Sequence, residues 1–295
     1  MKSLKGIGLF LIANFLIMMT LYITAPIIID VVLPMFGIDV RGSVDLTTLV
    51  WAGIFGFGGA FISLAFSKQM ARAMLDCQQI TQPRSHAEHI VYGTVQEIAR
   101  RLNITMPEVW VYDSPDPNAF ATGPSKNNSM VAVSTGLLEN LQEGEVKAVL
   151  AHEMGHVYNG DMFTTTVLAG LMNTFVYYIS MWVRRFFAER DQAMLGFVFS
   201  FVLQILLTIL ASILISWHSR HREFAADAFA ARVYGKNSMI GALEGIDRWV
   251  NRTQFQYSTQ DALATMKISG NTSSFMRLFA THPPIEARIA ALHHL

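Results

Sequence analysis

Four apolar stretches dictate most of what this chain can fold into: about Ile7 to Leu33, Leu46 to Phe66, Met162 to Val183 and Ala193 to Trp217. A helix needs about 20 apolar residues to cross the hydrocarbon core of a bilayer, where each segment must satisfy its own backbone polar groups. Each stretch therefore reads as a transmembrane helix. The composition agrees. The chain is 52% hydrophobic and 15% charged, with mean hydropathy +0.35, too apolar for an ordinary soluble domain. Its zero net charge offers no basic face for nucleic acid. The single cysteine, Cys77, excludes an internal disulfide and a cysteine-built zinc site, in keeping with a reducing compartment.

The first stretch follows Lys2 and Lys5, like a signal peptide. Its apolar run exceeds the roughly 7–15 residues of a cleavable h-region, and no A-x-A site closes it, so a retained anchor is expected. Lys68, Arg72 and Arg84 follow the second stretch, while the loop between the two holds Asp39, Arg41 and Asp45. The positive-inside rule then puts the N-terminus and everything after Phe66 in the cytoplasm. Arg184, Arg185 and Arg190, between the third and fourth stretches, oppose this. Either the first hairpin dominates, or the last two stretches do not cross fully; the first reading is adopted.

The soluble part is interleaved with the spans. A membrane hairpin at 1–66 is followed by a soluble segment at 67–161, a second hairpin at 162–217 and a second soluble segment at 218–295. Arg84 to Leu102 carries a helical stripe of Ile90, Val91, Val95, Ile98 and Leu102. Glu108 to Asp113 and Ser129 to Ser134 read as strands. Pro115, Pro117, Gly123 and Pro124 punctuate the loops around Asn118-Ala119-Phe120. Helices are expected at Glu143–Gly160, Arg222–Tyr234, Ser238–Val250 and Pro284–Leu292, and Asn251 to Ser274 is polar without clear pattern. The whole is mainly α with a small β-sheet.

Within the helix at 143–160 stand His152-Glu153-Met154-Gly155-His156. Imidazoles four residues apart lie one above the other on one helix face. Both can then reach one zinc ion, and the intervening carboxylate can reach a water beside it. A catalytic zinc site usually has three protein ligands. A histidine six residues after His156 is excluded, because position 162 is Met. An antiparallel hairpin between His156 and the segment after Trp217 returns the chain to the same membrane surface. There His218, His221, Glu223 and Asp227 are available. Glu223 and Asp227 share one helix face; one can ligate while the other accepts a hydrogen bond from a ligand imidazole. His221 is the rival ligand.

These motifs, H-E-M-G-H and R-E-F-A-A-D with N-A-F-A-T-G upstream and T-H-P-P-x-x-x-R-I near the C-terminus, resemble the HtpX family of membrane zinc proteases, related to the CAAX prenyl proteases. The likeness extends through V-A-V-S-T-G-L-L and S-R-H-R-E-F and spans nearly the whole chain. It implies a zincin-like (gluzincin) catalytic domain on four transmembrane helices, holding one zinc ion on His152, His156 and Glu223 with Glu153 as the catalytic carboxylate. It further implies a bacterial inner-membrane endopeptidase for quality control, its catalytic domain and both termini cytoplasmic. The partners are then the bilayer and unfolded or membrane-protein substrates.

Several residues carry two readings. His282 and Arg222 are candidates to stabilise the oxyanion, while His282 is otherwise only the residue before Pro283 and Pro284, which begin the final helix. Asn118, Ala119 and Phe120 form either an edge strand that pairs with substrate or a loop with one core aromatic. Asn173 and Gln204 glue helices together or line a hydrophilic passage. Gly53, Gly56, Gly59 and Ala60 read as close helix packing. Two functions compete with quality-control proteolysis: CAAX-type processing of a defined substrate, and a non-catalytic zinc-binding scaffold. A scaffold has no need of Glu153.

Overall fold

The computed structural model describes residues 31, 35, 46–257 and 282–295. The first expected span, Val31 aside, lies outside the described residues, as does the polar stretch beyond Tyr257 up to Ser274. In chain order the elements begin with α1 (Leu46–Ala65), α2 (Ser67–Leu75), β1 (Gln78–Gln79), α3 (His86–Arg101), β2 (Glu108–Tyr112), β3 (Ala119–Ser125) and β4 (Asn128–Ser134). There follow α4 (Thr135–Asn140), α5 (Glu143–Asn159), α6 (Asp161–Ala188), α7 (Ala193–Tyr234), α8 (Lys236–Tyr257) and α9 (Ile285–His293). Among the described residues α1, α6 and α7 are long and apolar enough to cross a membrane.

Internal packing divides the chain into two units. One comprises residues 46–63 with Thr165–Ile215, the other Leu64–Thr164 with Ser216–Leu295. In the first, α1 meets α6 at small residues. A Cβ on Gly56 would fall 2.3 Å from Thr174 Oγ1, and one on Gly170 2.5 Å from Phe57 Cδ1. Gly56 therefore packs as its sequence setting suggests. Gly59 does not: nothing lies within 4 Å of its missing Cβ. Together with Ala60 it lines a cavity that also exposes Asn173, Tyr177, Gln204 and Thr208.

The second unit is built on a mixed sheet of strand order β1-β2-β4-β3. β2 and β4 run parallel, while β1 and β3 pair antiparallel on either side. β4 is central because Ser129 to Ser134 are all buried. β3 is an edge, kept short of full regularity by a register shift between Thr122 and Ser125. Gly123 in that bulge has φ +142°, and a Cβ there would fall 2.4 Å from Asn128 O. Pro124 is tolerated beside it, since an edge bulge asks no amide of that residue.

Helices α3 and α5 cover one face of the sheet. Val91, Val95 and Ile98 of α3 interlock with Val109, Val131 and Val133 of the strands and with Val149, Leu150, Met154 and Val157 of α5. Fully burying a side chain of this kind contributes about 1.5–3 kcal/mol, so this cluster fixes α5 on the sheet. The ends of α5 are set locally. Glu145 Oε2 accepts from Gln142 N at 2.8 Å in a capping box, and Gly160 closes the helix in the left-handed region at φ 71°.

One expectation changes, and one pair of alternatives is resolved in favour of the edge strand. The separate helix predicted at Arg222–Tyr234 is the continuation of the preceding span, and α7 runs unbroken for 42 residues. No glycine or proline stands between Ser216 and Glu223 to end it. The Asn118–Thr122 stretch is largely strand, with Ala119 at the start of β3.

Candidate metal centre

α5 presents His152 and His156 one turn apart, with Nε2 atoms separated by 3.1 Å. Glu223 of α7 reaches both. Its Oε2 lies 3.6 Å from His152 Nε2, and its Oε1 lies 3.3 Å from His156 Nε2. One ligand atom from each of the three sits within 4.8 Å of the others. Tetrahedral zinc with bonds of about 2.0–2.1 Å spaces its donors by roughly 3.4 Å, so the spacing fits such an ion. The close approach of the two helices depends on Gly155: a Cβ there would fall 3.2 Å from Phe229 Cδ1 and 3.4 Å from Ala226 Cα.

The far side of each imidazole is also engaged. His152 Nδ1 lies 2.9 Å from Asp227 Oδ1, and His156 Nδ1 lies 2.6 Å from Asp161 Oδ2. A carboxylate only accepts, so both Nδ1 atoms carry a proton, and a metal bound in the cluster would take the Nε2 lone pairs in place of the protons those nitrogens share with Glu223. The two carboxylates are held in turn by cations. Arg288 of α9 grips Asp227 with two bonds, Nε to Oδ2 at 2.8 Å and Nη2 to Oδ1 at 2.6 Å, and its Nη1 stands 3.4 Å from Glu223 Oε2. Arg222 Nε lies 2.9 Å from Asp161 Oδ1.

Charge in the cluster is balanced by contact. Burial alone would raise the Glu223 carboxyl, yet hydrogen bonds from His152, His156 and His282 hold it far below the ordinary range. Glu223 is only 3% exposed. Burial would likewise depress His152, but bonds to Asp227 and Glu223 raise it. Asp227 is lowered against its burial by Arg288 and His152. Burial brings Arg222 down to about 10. Glu153 stands apart: burial, reinforced by the Glu223 charge, raises its carboxyl despite the neighbouring imidazoles. A carboxyl pushed upward in this way is a stronger base than an ordinary carboxylate.

The other sequence candidates fall as follows. His282 Nδ1 lies 2.7 Å from Glu223 Oε2, although its side chain is 66% exposed. His221 takes no part; it is exposed and its Nδ1 turns back to Trp217 O at 3.0 Å. Ala119 packs towards the core shared with α5, whereas Phe120 faces the other side of the sheet and meets the Tyr112 ring at 5.9 Å. Any polypeptide along β3 would therefore meet its backbone rather than the Phe120 ring. Asn118 is tied to Ser134, its N donating to Ser134 Oγ at 2.9 Å. Asp161 and Arg288 had no assigned role in the sequence. The signal for Asp161 is its place directly after the Gly160 cap, five residues from His156. For Arg288 it is the R of T-H-P-P-x-x-x-R-I.

A helix bearing H-E-x-x-H, completed by a carboxylate from a second helix, is the donor set of a metal-dependent hydrolase. The chain belongs to peptidase family M48, whose pattern it matches over residues 86–295. It is a membrane metalloprotease similar to Protease HtpX. It is 43% identical to Protease HtpX of Tolumonas auensis over 302 residues, covering 99% of this chain and 100% of that one. It is also 44% identical to Protease HtpX of Pasteurella multocida, covering 91% and 93% of the two chains. The crystal structure of S. mikatae Ste24p shares the fold at 18% identity with a TM-score of 0.61, covering 98% of this chain and 67% of that one.

Proposed function

We propose that the protein is a zinc endopeptidase of the bacterial inner membrane that removes misfolded or damaged membrane proteins from the cytoplasmic side. The observation that carries this is the meeting of His152, His156 and Glu223 within 4.8 Å around the helix that also bears Glu153. Two imidazole nitrogens and one carboxylate oxygen form a borderline donor set that suits zinc and leaves room for water. In this gluzincin-like reading the protease part comprises 67–161 and 218–295, and the hairpins comprise 1–66 and 162–217. Lys2, Lys5, Lys68 and Arg72 support the cytoplasmic placement of both termini.

Zinc held by His152, His156 and Glu223 would supply a water acidic enough to ionise near neutral pH and a Lewis acid for the scissile carbonyl. Glu153, on the same helix as both histidines, would take the proton of the attacking water as its oxygen adds to the carbonyl carbon. The same carboxyl then gives the proton to the leaving nitrogen as the C–N bond breaks. Asp227 and Asp161 keep the imidazoles in the ligating tautomer, while Arg288 and Arg222 fix those carboxylates. Arg222, occupied with Asp161, is therefore a positioning residue rather than an oxyanion donor. His282, exposed at the rim beside Glu223, is the donor placed to meet developing negative charge. The edge strand β3 takes substrate through backbone pairing, which tolerates many sequences.

The test is reversal by metal. Protein stripped with chelator should lose cleavage of casein and of an unfolded membrane protein, and added zinc should restore both. Undiminished cleavage by fully stripped protein would refute the reading.

A further inference from the structure

Helix α2 is amphipathic in the reverse of the usual sense. Its two charged side chains turn inward onto the sheet. Lys68 Nζ lies 2.8 Å from Glu108 Oε1, and Arg72 pairs with the same carboxylate while stacking 4.6 Å above the Trp110 ring. Ala71 packs with them against the Tyr112, Met130 and Ala132 cluster. The opposite face, Gln69, Met70, Ala73 and Met74 with the preceding Phe66, bears no formal charge. On it Phe66 is 56%, Met70 49% and Met74 78% exposed. These three are spaced by four and form one stripe.

A helix on a water-facing surface shows the opposite arrangement, with its apolar stripe inward and its charges in solvent. Position along the chain explains the inversion. Only Phe66 separates α2 from Ala65, where the 20 residues of α1 have used the roughly 30 Å needed to cross the hydrocarbon. The first turn of α2 thus emerges at the lipid headgroups.

The geometry points to α2 as an interfacial helix, lying at the headgroup–acyl boundary with Phe66, Met70 and Met74 among the acyl chains. The partner is the phospholipid surface itself. Because Lys68 and Arg72 both turn inward onto Glu108 and the outward face carries no formal charge, that face requires no anionic lipid, and a zwitterionic bilayer suffices. The inference stands apart from the peptidase chemistry, since no residue of the metal centre takes part.

The test places single cysteines on a Cys77→Ser background in full-length protein reconstituted into phosphatidylcholine vesicles. Labels at Met70→Cys and Met74→Cys report the outward face, Phe55→Cys reports the span, and Glu139→Cys reports an exposed soluble position. An interfacial helix buries its apolar face about 5–10 Å into the boundary, so acyl chains brominated near the headgroup should quench the labels at 70 and 74 about twofold and leave 139 unchanged. Quenching of 70 and 74 by aqueous iodide instead, at the level seen for 139, would overturn the proposal. Protection from both quenchers would overturn it as well, by showing a protein cover such as a second copy of the chain.

Discussion

Asp161 Oδ2 lies 2.6 Å from His156 Nδ1, so the first residue of α6 orients an imidazole carried by α5. The same carboxylate takes Arg222 Nε at 2.9 Å, one residue before Glu223 on α7. One aspartate thereby ties three helix segments to the metal centre. Asp161→Asn keeps the shape but loses the charge-assisted bond. Zinc affinity, read by competition with a chromophoric chelator, should fall about 10–100-fold while the helix content is unchanged.

Asp227 and Arg288 pose a different test, because both are buried. Arg288→Met strands the Asp227 carboxylate without its partner and should cost about 3–5 kcal/mol in denaturant unfolding. Adding Asp227→Leu removes the stranded charge and should recover most of that loss. Zinc affinity should stay weak in the double variant, since His152 has then lost its Nδ1 acceptor.

Acid sensitivity away from the metal centre should follow Glu108. Its partial burial would raise the carboxyl, but the hydrogen bonds from Lys68 and Trp110 and the Arg72 charge bring it below its ordinary value. A carboxyl lowered by folding contributes stability that is complete above its ordinary value near 4.5. That contribution is lost as pH falls through the lowered folded value. Glu108→Gln should therefore cost about 0.2–1 kcal/mol at pH 7, the range for partly exposed ion pairs. The difference from wild type should shrink on acidification below the ordinary value. Denaturant midpoints of the two proteins across that window decide it.

The helix carrying the candidate half-site was legible because its determinants are local. The bounds expected for the H-E-x-x-H helix, Glu143 to Gly160, differ by one residue from Glu143–Asn159, since a capping box and a left-handed glycine write both ends into adjacent residues. Glu223 emerged from span topology, which places distant segments together without any knowledge of side chains. What escaped is short or remote. β1, α2 and α4 are too brief for periodicity to register, and Arg288 meets Asp227 across 61 residues. The continuity of α7 was missed because a change in hydropathy at Trp217 resembles a helix end, although no residue there breaks a helix.

Gly155 should prove as demanding as the ligands. Gly155→Leu forces a branched side chain against Phe229 and the Ala226 backbone and pushes α7 away from α5. Glu223 then withdraws from His152 and His156. Zinc retained after gel filtration should drop well below one equivalent, whereas Gly160→Ala, with open space at its Cβ, should keep its metal and lose only about 1 kcal/mol of stability from its left-handed φ.

In the proposed mechanism Glu153 moves the proton for a metal centre it does not help to hold. Peptide cleavage by zinc-loaded Glu153→Gln tests it most directly, with bound zinc counted in the same sample. The expected result is one zinc per chain, as in wild type, and a cleavage rate lower by about 10²–10⁴-fold, the range for losing a general acid–base group. Cleavage at the wild-type rate with zinc bound would contradict it.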